Sequence, residues 1–211
     1  MTLSFKEDHI SQIPALMMLE KVGYTYLTPA EAMELRGGNA SNVLLEPILR
    51  EQLAKINTVQ VSSQRTTVFS EQNITAGIEA LKNLPMAEGF MTASQVAYDL
   101  LTAGKTLEQI VDGDKKSYVM QYIDWKHIEN NAFHITEEFA VSRTGMSDTY
   151  RPDIVLFVNG IPLCVIECKR PDIKDSLKQA ISQHLRNQKE DGIRSLYVYS
   201  ALLLATNVNE V

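Results

Sequence analysis

The stretch RPDIVLFVNGIPLCVIECKRP, residues 151–171, decides how this chain is read. Two apolar, β-rich runs flank Asn159-Gly160. An Asn-Gly between such runs is the strongest short-range hairpin signal. Asp153, Glu167 and Lys169 interrupt the runs. An unpaired ion is expensive to bury, so three charges in a buried hairpin need something to offset them. Two carboxylates that share a divalent cation, with an ammonium beside them, meet that need.

Whether the hairpin gathers the three groups depends on its register. Alternate side chains of a strand share a face. Glu167 and Lys169 therefore group with Leu163 and Val165, while Cys164, Ile166 and Cys168 lie on the other face. A two-residue loop at Asn159-Gly160 pairs Val158 with Ile161, sets Pro152 opposite Glu167 and turns Asp153 away. A three-residue loop, with Gly160 left-handed in a bulge, pairs Phe157 with Ile161. Asp153 then lies opposite Val165 and diagonal to Glu167, roughly 7–8 Å away at Cα. Two carboxylates close that gap onto one ion bound at about 2.1 Å. A shared ion thus requires the longer loop, or a bulge near Asp153.

Pro152-Asp153, a gap, then Glu167-Cys168-Lys169 resembles the PD-(D/E)xK nuclease signature. The longer string, with its Asn-Gly turn and flanking prolines, resembles the N-terminal nuclease domain of the restriction (motor-nuclease) subunit of type I restriction-modification enzymes. The resemblance implies a Mg²⁺-dependent endonuclease. In it Asp153, Glu167 and the Cys168 backbone carbonyl hold the cation, and Lys169 orients a water or neutralises developing charge. It implies a restriction-endonuclease-like α/β (α+β) fold, a mixed central sheet flanked by helices with an additional N-terminal helical region. It also implies double-stranded DNA as substrate, cut away from the recognition site, and methylase and specificity subunits as partners. ATP enters through a motor elsewhere in the subunit. The alternative is a nuclease-like fold without catalysis, kept to dock the motor or methylase subunits.

The likeness extends to residues 180–188, AISQHLRNQ, where the family has a Gln followed four residues later by Tyr. Gln183 matches and is expected to support the site or touch the DNA backbone. Asn187 stands where the Tyr is expected. Arg151, Lys169, Arg170, Lys174, Lys178 and Arg186 form a local basic cluster, and Arg151 and Arg170 are candidate DNA contacts. The plainer reading of Gln183 and of the cluster is a solvated helix face. Residues 4–24 resemble the family's opening helix, from which Glu7 is placed to approach the metal; a solvated acid at a helix start is the plainer reading there.

Bulk properties set the bounds. At 211 residues with 45% hydrophobic content the chain fits one domain with a sizeable core. Its net charge of −6 argues against a free-standing DNA clamp, because such affinity comes from neutralising phosphates with Lys and Arg. No apolar run approaches the ~20 residues of a membrane span, and no basic-then-apolar leader opens the chain. Cys164 and Cys168, about 13 Å apart along one strand, cannot pair with each other. Reduced thiols and a cytoplasmic location are expected, without a zinc pattern. No Walker A loop is present, so no motor is expected here; the resembled family carries its ATP-driven translocase after the nuclease in the same polypeptide, and the resemblance implies that the chain is an amino-terminal piece of a longer subunit.

Capping signals and periodicity place the elements. A first core helix, within residues 1–27, runs from Phe5 to Val22 with Ile10, Ile13, Leu16 and Met17 on its apolar face; Pro14 implies a kink or a late start. Thr28-Pro29-Ala30-Glu31 opens a short helix. Ser41 caps a helix through Ile56, one after Ser70 reaches Pro85, and another runs from Thr92 to Leu101. Residues 28–112 therefore read as mostly helical. After Asp112-Gly113-Asp114, a strand at Tyr118–Ile123, a second at Phe133–Val141 and the hairpin precede a helix after Asp175 and a strand over Ser195–Ala205. Residues 113–211 thus carry the sheet core of what reads as a single nuclease domain. Asn130-Asn131 and residues 143–148 are expected to be mobile loops.

Overall fold

Proline lacks an N–H and fits a helix's first turn, and Pro14 takes that place in the first α-helix. In the structure, a computed structural model describing residues 11–62, 65–172 and 174–207, α1 spans Ile13–Lys21 with Pro14 in that turn. The expected stretch before Ser11, Glu7 included, lies outside the described residues. Leu16 is buried and packs with Ala15 and Leu19 toward the core. Ile13 and Met17, expected on that face, are 40% and 53% exposed. The buried stripe is narrower than the apolar pattern suggests. β1 (Thr25–Leu27) follows, then α2 (Pro29–Glu34), which opens on the expected capping box: Glu31 N donates to Thr28 Oγ1 and Thr28 N to Glu31 Oε2.

The chain divides into two compact units. One takes in Leu45–Ala132 with Val158–Gly160; the other takes in the remainder. In the first of these, α3 (Glu46–Ile56) begins at Glu46, not at Ser41, with Pro47 in its first turn. β2 (Thr58–Ser62) and β3 (Arg65–Val68) form a hairpin that the helical reading passed over. α4 (Glu71–Lys82) is capped by Ser70 as expected. α5 (Phe90–Ala103) starts ahead of Thr92, with Gly89 at its N-cap, and ends at Gly104. β4 (Lys105–Val111) and β5 (Asp114–Met120) pair antiparallel around Asp112-Gly113. The strand expected at Tyr118–Ile123 therefore belongs to a two-stranded ribbon, not to the central sheet. Residues 130–131 are pinned: Asn131 is buried and accepts from Asp124 N while donating to Asp124 O.

The other unit resumes at β6 (Phe133–Glu137). Glu138 has φ 48 and breaks the strand, so Val141 falls in a separate pair, β7 (Val141–Ser142) with β8 (Thr149–Tyr150). Arg143 ties that loop to Asp148 and Asp191, where mobility was expected. β9 (Ile154–Val158) and β10 (Ile161–Cys168) are the hairpin, α6 (Ser176–Asn187) is the crossover helix, and a short α7 (Arg194–Tyr197) occupies the front of the expected last strand. β11 (Leu202–Thr206) completes a sheet of order β1-β6-β9-β10-β11. β1 runs parallel to β6 and β10 parallel to β11, and a tight turn makes β9 and β10 antiparallel. The fold is therefore the expected mixed sheet flanked by helices, but β1 rather than the Tyr118 segment supplies an edge. Leu16 packs with Ile135, Ile154, Leu156, Cys164, Ile166 and Cys168 on one sheet face. Both cysteines are buried. Among the described residues no helix is long and apolar enough to cross a membrane.

Candidate active site

The hairpin turn differs from the one a shared ion was expected to need. Asn159 (φ 52) and Gly160 (φ 80) are both left-handed, which is the two-residue I′ turn. Asn159 is completely buried. Its Nδ2 donates to Tyr122 O at 2.9 Å and Asn131 Oδ1 at 2.8 Å, and its Oδ1 accepts from Ala132 N at 2.8 Å. Those bonds hold the short turn. An unshifted two-residue hairpin would group Ile154 and Leu156 with Leu163 and Val165. They pack instead with Cys164, Ile166 and Cys168, the grouping of a ladder shifted by one residue beyond the turn. Asp153 and Glu167, each next along its strand from that cluster, therefore project together from the opposite face.

The structure brings Asp153, Glu167 and Lys169 together. Glu167 is fully buried, and the side chains of Asp153 and Lys169 are 16% and 12% exposed. Asp153 Oδ2 accepts from Cys168 N at 2.7 Å and lies 3.7 Å from Lys169 Nζ. Lys169 Nζ donates to the Cys168 carbonyl at 2.8 Å. Its backbone is clamped as well: Lys169 N donates to Thr206 O, and Ser11 Oγ donates to Lys169 O. On α6, Gln183 Nε2 donates to Glu167 Oε2, and Asn187 Nδ2 lies 3.4 Å from Oε1.

Burial, then the Asp153 carboxylate, push the Glu167 carboxyl up to about 9, with Lys169 and Arg186 opposing. Near neutrality Glu167 thus holds a proton, hydrogen-bonded to Asp153. Two carboxyls in contact, with the Cys168 carbonyl beside them, form an oxygen-only donor set. That set fits a hard divalent cation such as Mg²⁺.

The remaining candidates are placed less centrally. Arg151 is exposed, Arg170 is held in a bidentate pair by Asp172, and Lys178 pairs with Asp175. Arg186 stacks on the Tyr150 ring, 4.5 Å from its centroid. Asn187, noted in the sequence as a departure from the pattern, touches Glu167 directly. His184 and Tyr197, which lie behind it, gave no signal; Tyr197 sat within an expected strand.

The family described as "Type I restriction enzyme R protein N terminus" matches residues 4–211. A Methanocaldococcus jannaschii protein with the provisional name type I restriction enzyme MjaIXP endonuclease subunit is 25% identical over 202 residues, or 95% of this chain and 18% of that protein. The type I restriction enzyme HindI endonuclease subunit of Haemophilus influenzae is 28% identical over 208 residues, again 95% of this chain and 18% of that protein. A Staphylococcus saprophyticus relative, the type I restriction enzyme SsaAORF53P endonuclease subunit, is 31% identical over 96 residues, 44% of this chain and 10% of its own length. The chain thus spans less than a fifth of the length of these relatives.

Proposed function

Because the chain belongs to the family of type I restriction enzyme R protein N termini, we propose that it is the Mg²⁺-dependent DNA endonuclease region of such a subunit. The observation that supports this best is the contact between the Asp153 and Glu167 carboxyls, with the Lys169 ammonium 3.7 Å from Asp153. Asp153, Glu167 and the Cys168 carbonyl would hold the cation. When bound, Mg²⁺ polarises a phosphate oxygen and lowers the pKa of a nearby water. Glu167 must first give up its proton, and Gln183 and Asn187, one on each oxygen, keep its carboxylate oriented once it has. Lys169 would leave the Cys168 carbonyl to orient the attacking water or to offset charge developing on the phosphate. The products are a 5′-phosphate and a 3′-hydroxyl.

The substrate of this reading is unmodified duplex DNA. Methylase and specificity subunits supply recognition, an ATP-driven motor in the rest of the subunit supplies translocation, and the cytoplasm is the setting. The rival reading, a docking domain without catalysis, draws on the net charge of −6.

Magnesium-dependent nicking of plasmid by the full-length subunit in its complex separates the two. Glu167→Ala should abolish nicking, and nicking at the parent rate by that variant would favour docking. Lys169→Ala should slow it by ~10²–10⁴-fold, the range for a positioned catalytic group, with Mg²⁺ affinity retained. If Lys169→Ala cuts at the parent rate, the lysine has no part in the chemistry.

A further inference from the structure

Behind Glu167 runs a buried chain of hydrogen bonds whose direction can be assigned. His184 Nε2 lies 2.8 Å from the Leu204 carbonyl, an acceptor, so this nitrogen carries the ring hydrogen. Burial lowers the His184 pKa, which leaves the ring neutral and Nδ1 a bare acceptor. Tyr197 Oη, 2.8 Å from Nδ1, therefore donates to it. The tyrosine oxygen is then free to accept from Asn187 Nδ2 at 3.3 Å. The other end of that amide is set independently, since Asn187 Oδ1 accepts from Arg186 Nε at 3.3 Å and Nη2 at 3.1 Å. Both constraints turn Nδ2 toward Glu167 Oε1. A flipped amide would set its oxygen against the glutamate carboxyl and leave Tyr197 Oη without that donor. His184, Tyr197 and Asn187 are 5%, 4% and 1% exposed, so water cannot readily substitute.

We propose that Tyr197 and His184 are positioning residues for the cation site, acting through Asn187 to hold the amide orientation that fixes the Glu167 carboxyl beside Asp153. The proposal rests on the reading of Glu167 as a cation ligand. Groups one step removed from a metal ligand commonly change affinity 10–100-fold when lost; a group acting through an intermediary belongs at the low end.

The test is calorimetric titration of the 211-residue chain with Mg²⁺, with melting followed separately in metal-free buffer. Tyr197→Phe should weaken Mg²⁺ binding roughly 10-fold. Asn187→Ala should weaken it at least as much, and the double variant no more than Asn187→Ala alone, because the tyrosine acts through the amide. His184→Leu removes the acceptor for Tyr197 together with the donor to Leu204, and should reproduce Tyr197→Phe; it also serves if Tyr197→Phe does not fold. Parent-like affinity in both variants, whatever their melting temperatures, overturns the proposal and leaves a purely structural network, as does strict additivity in the double variant. Glu167→Ala, titrated alongside, separates the two levels. If it binds Mg²⁺ as tightly as the parent, the cation site itself is misplaced and both readings fall.

Discussion

Glu167 is where the site's energetics concentrate, since nothing polar is harder to bury than a carboxyl facing another carboxyl. Its pKa, raised from 4.5 to about 9, means that between those values the folded chain retains a proton the unfolded chain has released. Metal-free stability is then fully present below 4.5 and falls as pH rises toward about 9. Relative to Glu167→Gln, the parent should lose up to about 1.4 kcal/mol per pH unit in that window, measured by urea denaturation without divalent ions. Parallel pH dependences would show that Glu167 is not held protonated. Asp153, Glu167 and Lys169 were legible in the sequence because charges stand out in apolar strands. Gln183 and Asn187 were visible as a pair four apart on one helix. Tyr197 was not, because its approach to Asn187 depends on how α7 packs, which no local pattern encodes.

Single elements show why some boundaries could be read and others missed. The capping box at Thr28 and the Ser70 cap are local chemistry, and both are found where expected. The Asp112-Gly113 pair, φ 54 and φ 89, is as strong a hairpin signal as Asn159-Gly160. It was read only as a boundary, because the polar β5 hides the alternation that the apolar β10 displays. β1 has three residues, too few for periodicity to register. The two glycines at these turns separate backbone strain from crowding. Both are left-handed, yet a Cβ at Gly113 meets nothing within 4 Å, whereas at Gly160 it would lie 2.6 Å from the Leu45 carbonyl. Gly113→Ala should cost about 1–2 kcal/mol. Gly160→Ala should cost more by roughly 1–3 kcal/mol, as overpacking does. Chemical denaturation of the two variants checks the order, and equal losses would mean that the contact at Leu45 relaxes without penalty.

At the scale of the whole molecule, a net charge of −6 opposes phosphate binding, and within the basic cluster Arg170, Lys178 and Arg186 are engaged by Asp172, Asp175 and Tyr150. The 211-residue chain should bind duplex DNA no tighter than micromolar at physiological salt, the range of weak electrostatic association. Fluorescence anisotropy across a salt series checks this, and nanomolar binding would mean that the chain alone clamps DNA. The sheet carries a further consequence, for the order of events in time. Tyr26 on β1 and Glu137 at the end of β6 hydrogen-bond across 111 residues of sequence, while the hairpin that holds Asp153 and Glu167 closes through a two-residue turn. A chain emerging from the ribosome makes β1 long before its neighbour exists, and distant pairings form slowly. The edge carrying Tyr26 is thus a late arrival, and the hairpin carrying Asp153 and Glu167 can zip as soon as it is synthesised.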